Sequence, residues 1–150
     1  MRDEWAFSGS AHSVLESIHD HFTDAHYMAS DFDADSKLYV FNEYFCKHPI
    51  HATIQDSRHL HTPAHIAAYT GNVLLLNLIV DIAPEVVLIR SRNGKYCDDC
   101  LPTIIRLMHK RRFQTRSFDD TVRLIQNYMI VKEKILQLRK RFRGVHVNMI

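Results

Sequence analysis

Histidine and cysteine are the residues whose chemistry here could go beyond packing: the chain has eleven histidines and three cysteines in 150 residues. Cys97-Asp98-Asp99-Cys100 has the spacing of half a zinc site, since two thiolates three positions apart can share one tetrahedral ion. His59, His61 and His65 lie upstream, and His61 with His65 has the spacing of a second ligand pair. No second Cys-x-x-Cys exists, however, and His65 stands one turn after Thr62, where it serves a helix start. Cys97 and Cys100 are therefore read as solvated loop thiols, with no metal and no cofactor expected. Cys46 with His48 and His51 could be written as a nucleophile with an imidazole to lower its pKa. No nucleophile motif surrounds Cys46, and free cysteine is often a small buried hydrophobe. The chain also lacks a Gly-rich phosphate loop, a paired-carboxylate motif and a His-Glu-x-x-His. A binding protein is expected, not an enzyme.

Charge is the second chemical feature. The formal net charge of +2 hides a strong asymmetry: residues 1–56 carry 3 basic and 10 acidic side chains, residues 57–105 carry 4 and 4, and residues 106–150 carry 12 and 3. Such asymmetry concerns partners and solubility more than fold. Lys110-Arg111-Arg112 and Arg139-Lys140-Arg141 with Arg143 could meet phosphates or serve as a nuclear import signal. The alternative is a solvated helix face, and Arg139 and Arg141 lie outside the apolar stripe as either reading demands.

The elements that must position these groups are helical. The chain is 46% hydrophobic and 24% charged, which suits one soluble globular domain, and only four Gly and four Pro argue against a fold rich in tight turns. Phe118, Val122, Ile125, Tyr128, Val131, Ile135, Leu138 and Phe142 follow steps of three or four and predict a helix over about 118–143. Ser117 supplies its N-cap, Asp119 and Asp120 its acidic first turn, and Gly144 its stop. Thr62-Pro63 opens a shorter helix, Gly71 ends it, and Asn72 opens another from Val73 to Ala83. A further helix is predicted from Ile104 through Arg112, and Val14, Leu15, Ile18 and Phe22 suggest one over Ser10–Phe22. Residues 30–36 read as an acidic loop, and the helical signal is weakest over 24–56. No stretch of 18 apolar residues exists to span a bilayer and no signal peptide opens the chain, so a soluble intracellular protein with no membrane partner is expected.

Residues 62–80, TPAHIAAYTGNVLLLNLIV, resemble the ankyrin repeat: Thr-Pro, a His one turn on, two alanines, a glycine, then a second apolar helix. Thr62, Pro63, His65, Ala67, Ala68 and Gly71 carry the motif, with Leu75, Leu78, Ile79 and Ile82 as the second helix's buried face. The Thr62 hydroxyl can cap the helix and meet the His65 imidazole, the alanines permit close helix approach, and Gly71 turns the chain. Other copies are degenerate. Asn93-Gly94 falls where the next repeat's turn belongs, yet 34 positions earlier stands Leu60 instead of glycine. Asp33-Ala34-Asp35-Ser36-Lys37 resembles another repeat's hairpin turn, with Ser36 in the glycine's place, and Leu101-Pro102-Thr103-Ile104 resembles a helix start only after an insertion. One hairpin cannot bury its own apolar surface, so stacked copies are required.

The resemblance implies an all-α ankyrin-repeat solenoid of about three to four degenerate helical hairpins ending in a long capping helix. It spans one domain at 1–143, with its best repeat at about 57–88 and a short tail at 144–150. A short chain of irregular repeats is similar to the viral IκB-like ankyrins, the vankyrins of polydnaviruses. Neither an Asp-Ser-Gly-x-x-Ser degradation signal nor an acidic Pro/Ser/Thr-rich tail is present. The implied function is binding and blocking a host Rel/NF-κB-type transcription factor, in the cytoplasm and extending to the nucleus, of a host cell if the chain is viral. Acidic Asp20, Asp24, Asp31, Asp33 and Asp35 would suit the basic surfaces of Rel dimers, and Arg58, His59, Arg90, Arg92, Asn93 and Lys95 fall at hairpin tips where solenoids recognise partners. The alternatives are a nucleic-acid or chromatin-associated protein acting through the basic C-terminal helix, and a general ankyrin adaptor.

Overall fold

A computed structural model describes residues 22–148, with side chains over 22–144. The predicted helix over Ser10–Phe22 lies outside the described residues except for Phe22, which is not helical, and Asp20 also lies outside them. The described residues are all-α: α1 Asp24–Ala29, α2 Leu38–Lys47, α3 Pro63–Thr70, α4 Val73–Ile82, α5 Ile104–Lys110 and α6 Phe118–Asn148. Four 3-10 turns join them, at Ala34–Lys37, Pro49–Ala52, Pro84–Leu88 and Cys97–Cys100, and no strand occurs among the described residues.

Local signals act as the sequence leads one to expect over α3 and α6. Pro63 occupies the first turn of α3, where its missing N–H costs nothing, and Gly71 ends the helix at φ +80°. Ser117 Oγ accepts the Asp120 N–H at 3.1 Å and begins α6. Helix α6 continues to Asn148, however, so Gly144 lies within it and does not stop it. Phe118, first in the predicted stripe, is 80% exposed, while Tyr128, Val131 and Ile135 are buried. The 24–56 region, where sequence patterning is weakest, holds both α1 and α2, and the acidic loop ends in the turn Ala34–Lys37 between them.

These elements form two rows. Helix α1 packs on α3, and α3 on the turn Cys97–Cys100; behind them α2 packs on α4, and α4 on α6. The order helix, helix, Pro-led 3-10 turn, loop, helix start occurs twice, through Pro49 and Pro84. Ala25, Ala29, Ala64, Ala67 and Ala68 are fully buried where the front row meets, and Phe41, Phe45, Leu75, Leu76 and Ile79 fill the space between rows. Small side chains in the front row let backbones approach, and large ones behind supply most of the apolar burial.

Long-range polar hubs tie the rows together. Asn72 does not cap α4; it is fully buried and its Nδ2 donates to the carbonyls of Ala29 (3.2 Å) and Asp31 (2.8 Å). Arg111 donates from Nη2 to Thr70 O and Asn72 Oδ1, both at 2.8 Å, and from Nη1 to Phe32 O, while its guanidinium stacks 4.2 Å over the Phe32 ring. Its Nε has no partner among the described residues and faces Gly71. Arg139 Nη2 and Nη1 meet Asp98 at 2.5 and 3.4 Å, and Nε donates to Val87 O at 2.9 Å. Arg111 and Arg139 are therefore not members of a solvated basic face: they are 4% and 6% exposed.

Candidate protein-interaction surface

The site is built on a repeated helix start. Thr62 N–H donates to His65 Nδ1 at 3.1 Å, the Thr62 hydroxyl meets the same nitrogen at 2.9 Å, and His65 N–H returns to Thr62 Oγ1 at 3.3 Å. Nδ1 is thus an acceptor, so His65 is neutral and its Nε2–H donates to Lys95 O at 3.0 Å. The same arrangement stands at Thr23 and His26, with bonds of 3.0, 2.9 and 3.4 Å, and His26 Nε2–H donates to His61 O at 2.9 Å. Each imidazole therefore binds the carbonyl just before the next helix start, Thr62 in one case and Tyr96 in the other. At the third start, Tyr96 N–H donates to Asp99 Oδ2 at 3.0 Å. Sequence reasoning missed Thr23, although TDAHYMA aligns with TPAHIAA at Thr, Ala, His and the last Ala. The interval of 39 residues, against 34 from Thr62 to Tyr96, conceals it from a search at fixed period.

Burial dominates the protonation of this ladder. Desolvation pushes His65 down to about 4, outweighing its bond to Lys95 O and the nearby carboxylates of Asp56 and Asp98. His26 is lowered for the same reason.

Holding the helix starts in register aligns the loops before them. Asp56, buried, accepts the N–H groups of His59 (3.1 Å) and His61 (2.6 Å) and closes the first loop. Leu60 there adopts φ +56°, the left-handed conformation that Gly94 adopts at φ +78° in the second loop. The position where the repeat pattern lacked glycine keeps glycine's backbone all the same. Arg92 knits the loops together: its N–H donates to His59 O (2.9 Å), its Nε to Arg58 O (3.0 Å) and its Nη2 to Ser57 O (2.7 Å). Arg58, His59, Arg90, Arg92, Asn93 and Lys95 are all exposed along this edge.

The acidic residues divide. Asp24, Asp31 and Asp33 are exposed; Asp31 pairs with Lys37 at 3.2 Å and Asp33 accepts from Gln114 Nε2 at 3.2 Å. Asp35 is turned inward instead. It accepts the Leu74 and Leu75 N–H groups at 3.2 and 2.8 Å, capping α4 in the role Asn72 gives up. Thr62, Pro63, His65, Ala67, Ala68 and Gly71 are buried.

The thiols are not solvated in a loop. Cys97 and Cys100 are 0% and 4% exposed, and burial pushes the Cys97 thiol up to about 12. Cys46 is exposed, while His51 takes the Tyr44 hydroxyl at 2.6 Å and stacks on His48. Among the described residues no three His, Cys, Asp or Glu side chains are grouped to hold a metal ion, and no helix is long and apolar enough to cross a membrane. Comparison with known protein families, curated proteins and solved structures finds no match to this chain.

Proposed function

We propose that the chain is a protein-binding ankyrin-type stack and acts as an IκB-like suppressor of a host Rel/NF-κB-type transcription factor, in the cytoplasm and nucleus of a host cell. The observation that carries the ankyrin reading is the doubled Thr–His start, in which His26 Nε2 and His65 Nε2 each bond the carbonyl preceding the next start. A fold that spends buried imidazoles on registering successive loops presents those loops as one continuous edge, and such an edge recognises protein surfaces. The Rel assignment follows the sequence resemblance. Asp24, Asp31 and Asp33 face solvent, where a basic partner surface could compete for Asp31 with Lys37 and for Asp33 with Gln114, whereas Asp35 serves α4. The function is steric and electrostatic blocking, with no catalytic step.

The nucleic-acid alternative draws on the basic C-terminal third, and the inward turn of Arg111 and Arg139 takes two of its cations away. The deciding experiment is a pull-down of a recombinant Rel-homology region by the intact chain and by the variant Asp24→Lys/Asp31→Lys/Asp33→Lys. Capture by the wild type and its loss in the variant is expected. No capture by the wild type would end the Rel assignment, and equal capture would end the electrostatic account.

A further inference from the structure

Tyr96 lies where the third helix start meets the C-terminal part of α6. Arg139 stacks over its ring at 3.8 Å, and Arg139 is itself held by Asp98 and Val87 O, so the ring sits on a fixed support. The Tyr96 hydroxyl oxygen accepts from Arg90 Nε at 3.1 Å and from Arg143 Nη2 at 2.8 Å. Both arginines are exposed, and among the described residues neither forms an ion pair with a carboxylate. Two like charges are thus drawn to one neutral oxygen, an arrangement that costs repulsion and that an anion would relieve. The hydrogen bond from Arg90, and less so that from Arg143, also lowers the hydroxyl's pKa. With the oxygen's lone pairs engaged, the O–H proton is what Tyr96 has left to offer, so the three groups form a donor-only set.

We infer that Arg90, Arg143 and Tyr96 form a binding site for a phosphate-type oxyanion, carried by a phosphorylated side chain of the protein partner. A tetrahedral dianion can accept from two guanidinium forks and a hydroxyl together, which a monodentate carboxylate contact could not exploit as fully. The choice of a protein as carrier rests on the proposed binding function. A nucleic-acid strand calls for a row of phosphate contacts, and the inward Arg111 and Arg139 interrupt the basic stretches that would supply it.

The test is a titration of the intact chain with inorganic phosphate, followed by NMR at the arginine Nε–H and tyrosine ring resonances. Saturable shifts confined to Arg90, Arg143 and Tyr96 are expected. Arg90→Gln and Arg143→Gln should each weaken binding about tenfold, with melting temperature retained because both side chains are exposed. Lys47→Gln, on exposed α2 surface, should change nothing. Shifts spread over all cationic residues, or equal loss in Lys47→Gln, would overturn the site. A phosphotyrosine peptide should then bind more tightly than its unphosphorylated form. Preference for a single-stranded oligonucleotide, with affinity falling by several ions' worth of salt dependence, would overturn the protein carrier. Phosphate binding does not depend on Rel capture, so the two readings fail separately.

Discussion

Acidification should destabilise this protein through its buried histidine ladder. His65 is fully buried, and its Nδ1 accepts from the Thr62 N–H and hydroxyl, so a proton placed there removes both bonds and strands a charge away from water. Burial lowers its pKa from 6.5 to about 4. At ~1.4 kcal/mol per pH unit, that makes the difference between native and unfolded chains about 3–4 kcal/mol. Between those two pKa values the unfolded chain binds the proton and the native chain does not. Stability is therefore full above pH 6.5, falls as pH drops toward 4, and loses nothing more from this group below that. His26, lowered by the same desolvation, acts in the same direction. Set against a typical domain stability of about 5–15 kcal/mol, the loss is large. Urea unfolding followed by circular dichroism at several pH values between 7.5 and 4 would measure it. His65→Gln should be less stable at neutral pH but have a distinctly flatter pH profile. If the variant and the wild type lost the same free energy over that interval, the assignment of the acid sensitivity to His65 would be refuted.

Other consequences follow from backbone conformation, buried charge and thiol exposure. Leu60→Gly should stabilise the fold by about 0.5–1 kcal/mol, because the left-handed backbone at φ +56° penalises leucine by more than glycine's entropy costs; a lower melting temperature would count against it. Gly71→Ala should cost about 1–2 kcal/mol or more, since φ is +80° and the new Cβ would stand 2.9 Å from Leu107 Cδ1; a neutral result in thermal melts would contradict this. Asp98→Ala strands buried Arg139 and should cost about 3–5 kcal/mol, while Asp98→Leu/Arg139→Met should recover most of that in the same denaturation assay. A native-state thiol titration should find rapid modification at Cys46 and protection of Cys97 and Cys100, all three reacting once the chain is unfolded; fast labelling of Cys97 would show that its site opens readily.

The parts of this architecture that were legible in the sequence are those decided within one or two turns of chain. Thr62, Pro63, His65 and Gly71 specify α3 by capping, a preset φ and a left-handed stop, and the spacing from Val122 to Phe142 specifies α6. The second copy of the helix start, at Thr23 and His26, was equally local in its bonds but displaced in spacing by a long acidic loop. Leu60 shows the converse: a position without the expected residue type still takes the expected backbone, because Asp56 and Arg92 hold the loop around it.

What the sequence by itself determined is an all-helical chain, the capped starts and stops of its middle helices, and a sharp division of charge between its ends. Which charges are available was decided only by tertiary structure. Asp35 reaches Leu75, Arg111 reaches Phe32, and Arg139 reaches Asp98, across separations of 40, 79 and 41 residues. A helical wheel records the side of a helix on which a residue lies, but it does not record what carbonyl or carboxylate another segment brings there. Burying an arginine is tolerable only where such partners converge, and that convergence exists only once the rows have packed.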